Sequence, residues 1–299
     1  MILLIELKNV SKRFNKILAL DDVSFNINEG EIFGLAGPNG SGKSSLLRLL
    51  GGIYYQDTGK INLDHEPIFE NPKAKENIFL VSDSPYFFSN YNIDMIAKFY
   101  SNLYSGWNFE IYNNLYNIFP IDRNVKTINM SKGMRKQSSF VLAMSCGAKY
   151  ILLDEIFDGI DPIVRVILKQ VIIESVTELK KSFLVASHNL KELEDICDHI
   201  GLLNKGKMAL QEDIDNIKLS MYKVQLSLKE GKLEENIKGL DIITREDQGR
   251  VTNLLVKGKK EDILDTISKL NPIFLDVIPL TLEEIFIGEM EALGYDFKD

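Results

Sequence analysis

Hydrophobic and polar positions along the chain switch between two periods. "LIELKNVSKRF" at residues 4–14 alternates as a half-buried strand does, and "ALDDVSFNINEGE" at 19–31 follows suit. "IFGLAG" at 32–37 is a short apolar run that stops at a glycine. A helix is predicted after "GPNGSGKSS", with Leu46, Leu47, Leu49 and Leu50 on its buried face. Residues 86–119 are crowded with aromatics and asparagines at helical spacing, which predicts a helical insert of about residues 86–145 that continues into a helix capped by Ser131. Strands resume at "KYILLDE" (149–155) and "SFLVASH" (182–188), separated by a helix over 162–180. "ICDHIGLLNKGKMALQ" (196–211) predicts a strand, a glycine turn and a second strand. Strands alternating with helices around an apolar run imply an α/β fold with a mainly parallel sheet.

The pattern changes beyond about residue 220. "YKVQLSL", "DIITREDQGRVTNLLVKG" and "IFLDVIPL" read as strands, with helices at "KEDILDTISKL" and "TLEEIFIGEMEAL". Thr281 and Glu284 make a capping box for the last helix. The division predicted is a first domain over residues 1–217 and a small α+β domain over 218–299.

Composition narrows the function classes. The 299 residues carry a net charge of -8, which argues against generic binding to nucleic acid or anionic lipid. Cys146 and Cys197 lack metal-ligand spacing and read as buried reduced thiols of a cytosolic protein. The apolar N-terminus is broken by Glu6 and Lys8 and reads as a strand rather than a signal peptide. No run approaches the roughly 20 apolar residues of a membrane helix.

The chemistry begins at "GPNGSGKS", residues 37–44, which fits G-x-x-x-x-G-K-[ST] between an apolar strand and a helix. Gly37, Gly40 and Gly42 let successive N–H groups, with Asn39, Ser41 and Ser45 around them, turn toward phosphate oxygens at a helix N-terminus. Lys43 supplies a charge to the β and γ phosphates and Ser44 a hydroxyl to Mg²⁺. The alternative is a glycine-rich loop that binds nothing. The strand "YILLDE" ends in two carboxylates: Asp154 is placed to hold Mg²⁺ and Glu155 to polarise an attacking water, unless Glu155 merely caps a loop. His188, just past another apolar strand, can hydrogen-bond the γ-phosphate and hold that water, although a lone histidine is often structural. "MSKGM" at 130–134 poses a separate question. A glycine in the first turn of a helix costs about 1 kcal/mol against alanine, so either Gly133 is merely tolerated or something negative comes close to that backbone.

In this order, "GPNGSGKS", a helical insert, "SKGMRKQ", "YILLDE", "DGIDP" and "SHN" resemble the ATP-binding subunit of ABC transporters over roughly residues 2–215. "SDSPYFFSNY", "SKGM" and "NLKELEDICDHIGLLNKGK" look like the bacterial YtrB-like branch. The resemblance implies a P-loop NTPase (RecA-like) core with an antiparallel β subdomain and helical insert, binding ATP and Mg²⁺. It implies two cassettes, identical or not, paired head to tail, with Ser131 and Gly133 of one facing the γ-phosphate held by the other. It places Phe14 on adenine, with core packing the alternative; Asp83 where many members carry a Mg²⁺-sensing glutamine; and Asp161 in the loop touching the opposite cassette, with a helix cap the alternative. Lys132 and Met134 replace a glycine and a glutamine of the usual signature, and Ile156 replaces a proline. By that resemblance Lys132 adds positive charge near the phosphates. The aromatics of 86–107 stand where the membrane partner docks, with Tyr86, Phe87 and Phe88 expected to be exposed there and core packing the alternative for at least half of the set. The implied function is an ATP-hydrolysing motor, export type, on the inner face of the membrane, driving an ABC-2-type permease on a separate chain. A soluble ABC-type ATPase and an ATP-dependent binder with little turnover are the rival readings.

Overall fold

The computed structural model describes residues 4–228 and 239–292. Two sequence readings reach past these bounds: the first three residues of the N-terminal strand and Leu293 at the end of the last helix. The chain forms two compact units, Met1–Gln211 and Glu212–Asp299.

In the first unit, β1 (Leu4–Phe14), β2 (Ile17–Asn28), β4 (Thr58–Leu63) and β5 (Glu66–Pro67) form an antiparallel sheet in the order β2-β1-β4-β5. A second sheet has the order β10-β9-β3-β8-β7-β6. Its strands are β3 (Ile32–Ala36), β6 (Ile78–Val81), β7 (Tyr150–Asp154), β8 (Ser182–Ser187), β9 (His199–Asn204) and β10 (Lys207–Asp213). The pairs β9-β3, β3-β8, β8-β7 and β7-β6 are parallel. Strands β3, β7 and β8 are buried along their whole length, which explains their unbroken apolar runs.

Helix α1 (Lys43–Leu50) contributes Leu46, Leu47, Leu49 and Leu50 to one core that also takes Ile5, Leu7, Phe25 and Ile27 from the antiparallel sheet and Leu152, Leu184 and Ala186 from the parallel one. Burying each such leucine stabilises by about 1.5–3 kcal/mol, so the segment after the glycine-rich loop is held by both sheets. Helix α2 (Pro72–Lys75) is a single turn capped by Asn71.

The helical insert contains α3 (Ile93–Ser101), α4 (Phe109–Ile118) and α5 (Lys132–Ser145). Asn92, Asn108 and Ser131 cap these helices by accepting backbone N–H groups. Phe87 is buried, whereas Tyr86 and Phe88 are exposed. The expectation of three exposed aromatics therefore fails at Phe87, whose neighbours in sequence take the solvent side. Helix α6 (Pro162–Leu179) ends on Lys180 in the left-handed region, and α7 (Leu190–Glu194) follows β8.

The second unit opens with α8 (Ile214–Lys218). Its antiparallel sheet has the order β12-β13-β11-β14, from β11 (Met221–Ser227), β12 (Asp241–Gln248), β13 (Val251–Lys257) and β14 (Phe274–Pro279). Tyr222, Val224, Leu254, Val256 and Val277 pack with Ile263 and Ile267 of α9 (Lys260–Ser268). Thr281 and Glu284 exchange backbone hydrogen bonds at the start of α10 (Leu282–Ala292).

Where the helical insert returns to β7, two backbones cross at Gly106 and Gly147. Gly147 has φ 79, and a Cβ there would lie 2.5 Å from Gly106 O. Gly147→Ala is expected to destabilise the chain by about 2–3 kcal/mol through left-handed strain and the clash, read as a lower midpoint in urea unfolding.

Candidate functional site

The parallel register builds the site. Ala36 at the end of β3 pairs with Ser187 of β8, and Ala186 of β8 pairs with Asp154 of β7. The segments that leave these strand ends, with Gly37, Glu155 and His188 first in each, therefore emerge side by side. This is the carboxyl edge at which parallel α/β sheets bind ligands.

The glycine-rich loop is wedged between neighbours. A Cβ on Gly37 would lie 2.3 Å from Leu203 O, and one on Gly42, at φ 113, 2.6 Å from Ala19 O. Gly42 is the N-cap of α1 without any side-chain cap, which leaves the first amides of the helix for an anion. Asn39 and Gly40 are exposed at the tip, and a Cβ on Gly40 would meet nothing within 4 Å. Ser41 Oγ is buried without a hydrogen-bond partner. Lys43 is buried, and its Nζ donates to Gly37 O at 2.7 Å and Pro38 O at 3.3 Å and lies 3.4 Å from Glu155 Oε1.

Ser44 Oγ donates to Asp154 Oδ1 at 3.1 Å. Burial raises the Asp154 carboxyl above its ordinary value; the Ser44 hydrogen bond opposes this and the Glu155 charge adds to it. His188 Nδ1 donates to Glu155 Oε2 at 2.8 Å, and the two residues lie at the ends of adjacent strands. Glu155 itself has φ 48, a left-handed conformation rare outside glycine.

A cleft of about 560 Å³ is lined by Phe14, Asn39, Gly40, Gly42, Lys43, Ser44, Ser45, Asp83 and Glu155. Phe14 packs edge-on to Tyr54, 5.2 Å between centroids, at one wall.

Residues 20–158 match the ABC transporter family. The ABC transporter ATP-binding protein YtrB of Bacillus subtilis (strain 168) is 33% identical over 96% of this chain and 98% of its own length. The chain belongs to the ABC transporter ATP-binding family. The lipopolysaccharide export system ATP-binding protein LptB of Escherichia coli (strain K12) is 30% identical over 67% of this chain and 87% of its own. A solved ATP-binding cassette, dimeric in a post-hydrolysis state with ADP and Pi, superposes with a TM-score of 0.64 at 21% identity, covering 70% of this chain and 98% of that one. ABC cassettes are ATPases that bind ATP or ADP, dimerise and pair with transmembrane permeases. Among the described residues of this ABC subunit, no helix is long and apolar enough to cross a membrane.

Gly37, Ser41, Asp154 and His188 adjoin lining residues without lining the cleft themselves, whereas Ser131, Gly133 and Asp161 belong to other parts of the chain. Ser131 is exposed at the N-terminus of α5, where Oγ accepts the Met134 N–H at 3.1 Å. Gly133 is buried, and a Cβ there would lie 3.0 Å from Gly159 O. The negative group that approaches this glycine within the chain is thus a backbone carbonyl. Asp161 accepts the Ile163 N–H at 2.9 Å and caps α6 ahead of Pro162, the helix-cap alternative.

Asp83 departs furthest from expectation. Its Oδ1 sits 2.8 Å from Lys132 Nζ and 2.9 Å from Lys136 Nζ, so the carboxylate is engaged by ammonium groups of α5. Lys132 also reaches Asp158 at 3.3 Å, so its charge is committed to two carboxylates of its own chain rather than to phosphate. Burial acts to raise the Asp83 carboxyl, but hydrogen bonds from Lys132 and then Lys136 hold it below its ordinary value.

Ile17, Leu18, Ala19, Lys205 and Gly206 also line the cleft. Lys205 and Gly206 form the turn between β9 and β10, and only the β3-β9 pairing brings that turn to the loop. The sequence marks the turn itself but not its place beside the glycine-rich loop.

Asp83 supports stability fully above its ordinary value of 3.8 and loses that support as pH falls through its lower folded value. Asp83→Asn is therefore expected to lower stability by about 1–2 kcal/mol at pH 7, discounted for partial exposure, with the gap to the parent closing as pH falls below 3.8. Thermal melts across this pH range check both the size and the sign.

Proposed function

We propose that this chain is the ATP-hydrolysing motor subunit of an export-type ABC transporter, closing with a second cassette over ATP to drive an ABC-2-type permease on a separate chain. The observation that carries the reading is the convergence of Lys43, Ser44, Asp154, Glu155 and His188 on one strand edge, with Glu155 bridging Lys43 and His188 at 3.4 and 2.8 Å.

Each residue has a task. The amides of residues 37–45 surround the phosphates, with the unpartnered Ser41 hydroxyl among them, and Phe14 offers a face to the base. Lys43 exchanges its carbonyl partners for β- and γ-phosphate oxygens. Ser44 and Asp154 fit Mg²⁺: both present hard oxygen donors, and a divalent cation offsets the unfavourable burial of the Asp154 charge. When bound, Mg²⁺ neutralises charge on the phosphate oxygens. Asp83, engaged by two lysines, is the weaker candidate for that shell.

Glu155 takes a proton from water as the water oxygen bonds to the γ-phosphorus and the bond to the bridging oxygen of ADP breaks. The His188 hydrogen bond aims the carboxylate. Ser131 and Gly133, which stand away from their own cleft, serve the γ-phosphate held by the partner cassette, beside its Asp161 loop. The cassette takes residues 1–217, and the accessory domain at 218–299 supports the dimer. The exposed Tyr86, Phe88, Met95 and Phe99 suit a permease helix, which would hold the chain at the cytoplasmic face of the membrane. Export rests on the likeness to LptB and on the resemblance of "TLEEIFIGEM", residues 281–290, to the C-terminal extension of exporter-type ATPases.

Glu155→Gln is expected to lower ATP turnover by about 100-fold or more while ATP still binds; Lys43→Ala is expected to lose binding itself. Phosphate release alongside titration with a fluorescent ATP analogue separates the two. Equal turnover in parent and Glu155→Gln would overturn the assigned base.

A further inference from the structure

Lys136 is a fully buried lysine on α5, inside a helix whose other interior side chains are uncharged. A buried ammonium is tolerated when hydrogen bonds and a counter-charge replace its water, and here Lys136 Nζ has two hydrogen-bonded carbonyl oxygens and one ion-paired carboxylate oxygen. One is the backbone oxygen of Glu155. The second is the backbone oxygen of Asp158 at 2.9 Å. The third is Asp83 Oδ1 at 2.9 Å.

These acceptors are not arbitrary parts of the fold. Glu155 occupies the left-handed region immediately after β7, and its N–H donates to Ala186 O of β8 at 2.9 Å. Residue 155 is therefore held at both ends: its amide by the neighbouring strand, its carbonyl by Lys136. With φ fixed in this way, the carboxylate leaves the backbone toward Lys43 and His188. The bond to Asp158 O fixes the next turn of the same loop, and Asp83 supplies the counter-charge that keeps the ammonium in place.

We propose that Lys136 is a positioning residue that aims the Glu155 carboxylate, with Asp83 holding Lys136 in register. Lys136 touches none of the reacting atoms; it acts through the peptide of residue 155. The inference rests on the ATPase reading of the site and deepens it. It predicts a loss in turnover without a matching loss in nucleotide binding, because the phosphate loop is folded around contacts that Lys136 does not make.

The test uses the full chain. Lys136→Met removes the donors at similar length. It is expected to lower kcat by roughly 100-fold, the scale of a misplaced catalytic group, and to leave KM and the affinity for a fluorescent ATP analogue within about threefold of the parent. Amide hydrogen exchange at residues 155–159 is expected to rise. Asp83→Asn is expected to lower kcat less, and to add nothing to Lys136→Met, because both act through one ammonium. A kcat within about threefold of the parent, a parallel fall in nucleotide affinity, or multiplying effects of the two substitutions would each overturn the proposal. If Lys136→Met does not fold, Lys136→Gln is read against the same thresholds. Parent and Glu155→Gln are measured together: an inactive parent refutes the ATPase reading, whereas an active parent with an active Lys136→Met refutes only the positioning role.

Discussion

The register of three parallel strands is the constraint on which the rest depends. β8 lies between β3 and β7, and its last residues face Ala36 on one side and Asp154 on the other. Parallel pairing makes all three strands end at one edge, so residues far apart in sequence are delivered to one place by backbone hydrogen bonds alone. A slip of one residue in β7 would turn Asp154 away from Ser44 and reverse the face of each side chain in the strand. The buried apolar runs in β3, β7 and β8 forbid that slip, because neither face has water to receive a displaced polar group. The chemistry of the site is therefore fixed by the packing of residues that take no part in it.

Around that edge the chain gathers charges of both signs, and their arrangement is not symmetric. Lys43 is satisfied by carbonyls and one carboxylate that leave it free to exchange partners for phosphate. Asp154 has a hydroxyl beside it and is held above its ordinary protonation range by burial, the condition of a group that gains from a cation. Lys132, Lys136, Asp83 and Asp158 instead neutralise one another. The first set is poised for a ligand and the second is internal framework, although all six side chains stand within the same region of the fold.

Much of this was legible in sequence because its physical signals are local. A glycine-rich segment between an apolar run and a leucine-lined helix, and carboxylates closing an apolar strand, announce both structure and chemistry within a dozen residues. Strands β4 and β6 gave no such signal: "TGKINL" buries only its second half and "IFLV" is too short to show a period. Gly133 was read for its closeness to an anion, and the contact found within the chain is the Gly159 carbonyl. Lys136 was invisible as a buried cation, because the helix pattern assigns it a polar face and its acceptors come from loops around residues 83 and 155. Local pattern predicts which face of a helix is wet; it does not predict which loop will dry it.

The turn at Lys205 and Gly206 carries a consequence for sequence variation. Two-residue hairpin turns on a protein surface ordinarily accept insertions and changes of length. This one does not stand clear of the fold: Gly206 N–H donates to Ser41 O at 2.9 Å, and Gly206 O accepts from Asp21 N–H at 2.8 Å. It staples the glycine-rich loop to the antiparallel sheet. One added residue in that hairpin would unpick the loop from behind, so relatives that still grip nucleotide should hold this turn nearly fixed in length and keep glycine at 206, where φ is 80 and a Cβ would lie 2.8 Å from Ala19 O.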